Sequence, residues 1–68
     1  MEETYDIQPN STQGIILPEG FNFKVIGISN EEIEIVEDNI LPTGERMALL
    51  KNTSDHVVSV IKYKNENN

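Results

Sequence analysis

The chain contains no cysteine and no tryptophan, a single histidine, four glycines and only five basic residues among its 68. Each scarcity excludes something. Without cysteine, no disulfide or thiolate metal site can staple the fold. One histidine cannot build a zinc site without help from carboxylates. The four glycines are scattered and make no Gly-x-Gly-x-x-Gly phosphate loop. Twelve acids against five bases leave a net charge of -7. That charge disfavours nucleic acid and anionic membranes as direct partners, because both are held by clustered Lys and Arg. No apolar run approaches the ~20 residues that a membrane span needs. The start, Met1-Glu2-Glu3-Thr4-Tyr5-Asp6, is acidic and polar, the reverse of a signal peptide. The absence of cysteine fits a cytosolic origin.

Sixty-eight residues allow one domain, near the lower limit for chains that fold alone. Small domains without staples lean on a partner chain or on an idealised core. The charge suits solubility, or an acidic face that mimics nucleic acid or docks on a basic protein.

Residues 1–13 form a polar N-terminal arm. Tyr5 and Ile7 alternate with polar neighbours until Pro9 breaks the pattern. Such an arm is either a loose terminus or a strand added to a neighbouring subunit, with Tyr5 and Ile7 as anchors. Residues 14–64 form the single domain, and 65–68 a polar tail. Gly14-Ile15-Ile16-Leu17 is a short apolar run closed by Pro18-Glu19-Gly20, where Pro presets φ and Gly permits φ > 0. Phe21, Phe23 and Val25 alternate with polar residues, and Ile33 and Ile35 alternate with Glu32 and Glu34. Gly27-Ile28-Ser29-Asn30, Asp38-Asn39 and Leu41-Pro42-Thr43-Gly44 are further turn signals. The two Leu-Pro-x-Gly stretches suggest equivalent corners.

Glu45 to Lys51 is composed of good helix formers, yet it is short and flanked by turns, which favours a strand. Val57 to Tyr63 is rich in β-branched residues. Asn52-Thr53-Ser54-Asp55 between them reads as a hairpin loop. Asn10-Ser11-Thr12 and Asn52-Thr53-Ser54 match glycosylation sequons, and both read here as turn chemistry. The last two strands carry apolar residues on both faces: Val58 and Val60 on one side of the final strand, Val57, Ile61 and Tyr63 on the other. Strands that are apolar on both sides are buried on both sides. A chain this short has little material for a second cover, so Tyr5, Ile7, Val57, Ile61 and Tyr63 are the candidate interface. The expected core is Phe21, Phe23, Val25, Ile33, Ile35, Leu49, Val58 and Val60.

No constellation points to catalysis, a cofactor or a metal. Glu31, Glu32, Glu34, Glu37 and Asp38 read as a solvated strand face without calcium-loop spacing. His56 adjoins Asp55, but neighbours on a strand point apart, which predicts a plain surface histidine. The four aromatics lack the basic residues of a base-stacking platform.

Two resemblances add expectations. Gly14-Ile15-Ile16-Leu17-Pro18, followed by the segment from Ile26 to Ile35, resembles the swapped-hairpin transcription factors related to AbrB. That family places a basic helix between the Pro and the Gly. Here Glu19 to Val25 holds one Lys in a strand pattern, so DNA binding does not carry over. Residues 14–63, with a Leu-Pro-x-Gly corner, "FKVIG", a Thr-Gly-Glu corner and "ALLKN…HVVSVIKY", resemble small β-modules of tailed-phage virions. Such modules decorate capsids or build fibres, commonly as trimers. The resemblance implies a place in the virion or the host cytoplasm.

The expectation is an all-β domain, a small antiparallel β-sandwich or partly open barrel of five or six short strands. Its expected role is that of a non-enzymatic, homo-oligomeric module attached to a larger protein assembly such as a capsid. The alternative is a small acidic inhibitor that mimics nucleic acid and blocks a DNA- or RNA-binding protein.

Overall fold

A computed structural model describes residues 2–26 and 32–65. Six strands run in order: β1 (Glu3–Ile7), β2 (Thr12–Leu17), β3 (Phe21–Ile26), β4 (Ile33–Ile40), β5 (Arg46–Asn52) and β6 (Val58–Lys64). They form two antiparallel three-stranded sheets, β1-β6-β3 and β2-β5-β4, joined by one core. The domain is all-β as expected from the turn spacing, and of sandwich and barrel its two sheets make a small sandwich. The turn expected at Gly27–Asn30 and most of the tail expected at 65–68 lie outside the described residues.

The chain alternates between sheets, and only β4 and β5 are consecutive strands of one sheet. The hairpin expected at residues 52–55 is therefore absent. β5 is the centre of the second sheet and β6 the centre of the first, and residues 53–57 arch between them. Two strands that are apolar on both sides gain more as separate centres, each flanked by two neighbours, than side by side. Nor is the N-terminus a detached arm. β1 pairs with β6 from Glu3↔Lys62 to Ile7↔Val58, closing the first sheet with the two ends of the chain.

Turn chemistry places the corners. Ser11 N–H donates to the Gln8 carbonyl across Pro9-Asn10, with Asn10 at φ 60°. Phe21 N–H donates to Pro18 C=O, and Gly20 takes φ 90°. Gly44 N–H donates to Leu41 C=O across Pro42-Thr43, with Gly44 at φ 93°. Asn and Gly tolerate these left-handed values that other residues resist. The two Leu-Pro-x-Gly corners are not equivalent: the first bond closes on Pro18 and carries the chain between sheets, the second closes on Leu41 within a hairpin. Asp38 and Asn39, expected to turn, continue β4 to Ile40. A bulge at Val36 accommodates them, because Ile35 opposes Leu50 while Glu37 opposes the next residue, Leu49.

The core consists of Ile7, Ile15, Leu17, Ala48, Leu50 and Val60, with Val58 also buried. Val58 and Val60 match the expected set. Phe21, Phe23, Val25 and Ile33 pack against the core but stay half-buried. Two positions differ. Leu49 points to the outer face, and Ala48 and Leu50 fill the interior. Ile35 is 52% exposed, because β4 is an edge strand with no neighbour beyond it among the described residues. Arg46 and Lys62 close one end of the core, their cations over the rings of Phe23 and Phe21 at 5.8 and 5.6 Å. There Arg46 also makes a two-pronged ion pair with Asp38, both bonds 2.8 Å, which holds the Asp38 carboxyl below its ordinary range.

Candidate protein interface

Directly paired residues in an antiparallel sheet share a face. The pairings Lys24↔Ile61, Asn22↔Tyr63, Ile26↔Ser59 and Thr4↔Ile61 therefore define the outer face of the first sheet. Ile61 and Tyr63 lie along its centre, half-covered by their neighbours, and Lys24 Nζ sits 5.7 Å from the Tyr63 ring centre. Ile26 is exposed at its edge, and Val57 is exposed where the arch enters β6. Two of the five expected interface residues, Ile61 and Tyr63, thus lie on the outer side of β6, away from the core, and Val57 is exposed just before the strand begins.

The other two do not join them. Tyr5 opposes Val60 and Ile7 opposes Val58, so both face the interior. Ile7 is a core residue of its own chain, and Tyr5 is half-buried against the core, its hydroxyl donating to Glu3 at 2.8 Å. The carboxylate that accepts this bond raises the Tyr5 pKa. Once β1 pairs with β6, its alternation must follow that of Val58 and Val60.

Sequence reasoning missed a second outer patch. Ile16 opposes Met47 and Gly14 opposes Leu49 on the outside of the second sheet. Gly14 leaves room there, and a Cβ at that position would lie 3.8 Å from Leu49 Cδ1. Ile16 is exposed, while Met47 and Leu49 are half-covered. The signal was present in the two-sided pattern of Arg46 to Lys51, but nothing local says which half faces outward.

Among the described residues, the sandwich is open between the edge strands β3 and β4. A cleft of about 280 Å³ is lined by Phe23, Lys24 and Val25 from one sheet and by Ile33 and Ile35 from the other. No ladder joins β3 to β4.

At the opposite end of β5 from Arg46, Asn52 is fully buried. Its amide donates to the carbonyls of Ile7 at 2.9 Å and His56 at 2.7 Å. Its Oδ1 accepts from Ser54 N–H and Ser54 Oγ at 2.9 and 2.7 Å. Its backbone N–H donates to Ser11 and its carbonyl accepts from Asn10. All side-chain capacity is used, so this sequon asparagine is a structural joint. The arch it organises brings His56 Nδ1 to 3.2 Å from Asp55 and Nε2 to 3.0 Å from Glu32. Asp55 and His56 were expected to point apart; they meet because residues 53–57 bend rather than extend. The two carboxylates raise the His56 pKa above its ordinary 6.5, Asp55 contributing most. Among the described residues, no group of three or more His, Cys, Asp or Glu is placed to hold a metal ion.

No protein-family model, curated protein or solved structure matches the chain.

Proposed function

We propose that this chain is a non-enzymatic structural module that works by assembling with copies of itself and with a larger protein assembly. One observation carries the reading: each central strand, β5 and β6, has an apolar outer side that the described residues only half cover. Met47 and Leu49 lie on one face of the sandwich, Ile61 and Tyr63 on the other. Apolar patches ringed by polar side chains suit contact with protein. The resemblance to tailed-phage virion modules suggests a capsid or fibre as the larger assembly and a trimer as the form.

The alternative, a nucleic-acid mimic, needs carboxylates ranked over one surface. Here they are dispersed. Asp6 lies on the outer face of the first sheet, bound to Ser59, while Glu34 and Glu37 lie outside the second. Asp38, Glu32 and Glu3 are engaged by Arg46, His56 and Lys62. This arrangement favours the assembly reading.

Ile61→Glu tests it. A carboxylate buried at a subunit contact is strongly unfavourable, and charging a central anchor commonly costs ~2–4 kcal/mol of binding. Sedimentation should show smaller species while circular dichroism retains the β-signal. An oligomer indifferent to Ile61→Glu, or a wild type that never assembles, overturns the reading for this face.

A further inference from the structure

The open flank between β3 and β4 lies apart from both outer patches, and its two edges differ in charge. β3, Phe21-Asn22-Phe23-Lys24-Val25-Ile26, carries one Lys and no acid. β4 carries Glu34, Glu37 and Asp38, of which only Asp38 is neutralised by an ion pair among the described residues. Among the described residues, each strand is hydrogen-bonded on one side only. Between them Phe23, Val25, Ile33 and Ile35 show apolar surface to solvent.

We propose that this flank is a two-fold interface in which β3 of one copy pairs with β4 of a second copy, and β4 with β3 in return. A second copy is the occupant because one chain supplies both complementary edges. Pairing β4 with β4 would set carboxylates beside carboxylates, which like-charge repulsion opposes. A two-fold axis running along the strands through the flank avoids this by swapping the sheets. The first sheet of one copy continues into the second sheet of the other, which yields two six-stranded sheets with no edge left on this side.

The alternation agrees. Phe23 and Val25 face inward, as do Ile33 and Ile35, while Lys24 and Glu34 face outward. An antiparallel register with Val25 opposite Ile33 and Phe23 opposite Ile35 buries all four apolar side chains. The same register sets Lys24 directly opposite Glu34 on the outer surface. The bulge at Val36 ends the ladder beyond Ile35. The pairing is therefore short, but it occurs twice by symmetry.

A charge swap tests the interface. In sedimentation equilibrium the wild type should pass from 7.7 kDa through twice that mass as concentration rises. Lys24→Glu and Glu34→Lys should each weaken dimerisation by about 10-fold or more, since each replaces attraction with repulsion at both symmetric pairings. An equimolar mixture should recover the wild-type affinity, because each variant supplies the charge the other lacks. Circular dichroism on both variants checks that β-structure is kept. Lys24 also touches Tyr63, so loss in Lys24→Glu alone could arise at the outer face of the first sheet. Rescue by Glu34→Lys cannot, since Glu34 belongs to the other sheet. Single variants that dimerise like the wild type, a mixture no tighter than its components, or a wild type monomeric throughout would each overturn the proposal. Ile61→Glu should reduce larger assemblies to this dimer without dissociating it, which separates its failure from that of the outer-face reading.

Discussion

The Asn52 side-chain amide donates to the Ile7 carbonyl at 2.9 Å, across 45 residues of sequence and from one sheet to the other. The same amide and its oxygen hold His56 and Ser54, so one buried residue joins the end of β1, the end of β5 and the arch into β6. Asn52→Ala should leave the Ile7 and His56 carbonyls and the Ser54 donors without this partner. Each buried polar group left unsatisfied costs ~1–3 kcal/mol. The summed loss should reach at least ~3 kcal/mol, a large part of the ~5–15 kcal/mol that holds a small domain together. Urea melts would measure it, and a loss below ~1 kcal/mol would mean the joint does not bear on stability.

The register of β5 can be tested with two adjacent leucines. Leu50 is fully buried and Leu49 lies on the outer face. Leu50→Ala should cost ~2–5 kcal/mol, the usual range for a core leucine. Leu49→Ala should cost much less in the monomer. Equal losses, or the reverse order, would show that the other face of β5 points inward.

Deleting residues 1–8 distinguishes a strand from an arm. The truncated chain would lose β1, expose one edge of β6 and remove Ile7 from the core. The expected outcome is loss of cooperative unfolding, seen as a flat thermal trace by circular dichroism. A truncated protein that melts like the parent would restore the N-terminus to the status of a dispensable arm.

The His56 cluster predicts a pH dependence with a definite sign. Asp55 and Glu32 favour the imidazolium, so the folded pKa lies above the ordinary 6.5. The group's contribution to stability is complete below 6.5 and declines as pH rises through the folded value. NMR titration of the ring should place its midpoint above 6.5, and Glu32→Gln should lower it. A midpoint at or below 6.5 in the parent would mean that these contacts do not persist in solution. Asp38 behaves oppositely. Arg46 holds its pKa below the ordinary 3.8, so its contribution is present above 3.8 and lost as pH falls through the folded value.

Much of the local structure follows from the sequence by itself. Pro9-Asn10, Pro18-Glu19-Gly20 and Pro42-Thr43-Gly44 determine three corners, since proline presets φ and Asn or Gly accepts positive φ whatever the surroundings. Two-residue alternation determines β3, the start of β4 and β6, and it separates Val58 and Val60 from Val57, Ile61 and Tyr63. These effects act within a few residues and are readable from them. Tertiary structure decided the rest. β5 is apolar on both sides, so only packing against Ile15 and Leu17 could choose Ala48 and Leu50 over Leu49 as its inner set. Tyr5 and Ile7 took the core side of their strand because their partner, β6, lies at the other end of the chain. The burial of Asn52 and the meeting of His56 with Glu32 likewise join groups far apart in sequence. Nothing local encodes such contacts, because their free energy exists only once both sheets have closed on a shared core.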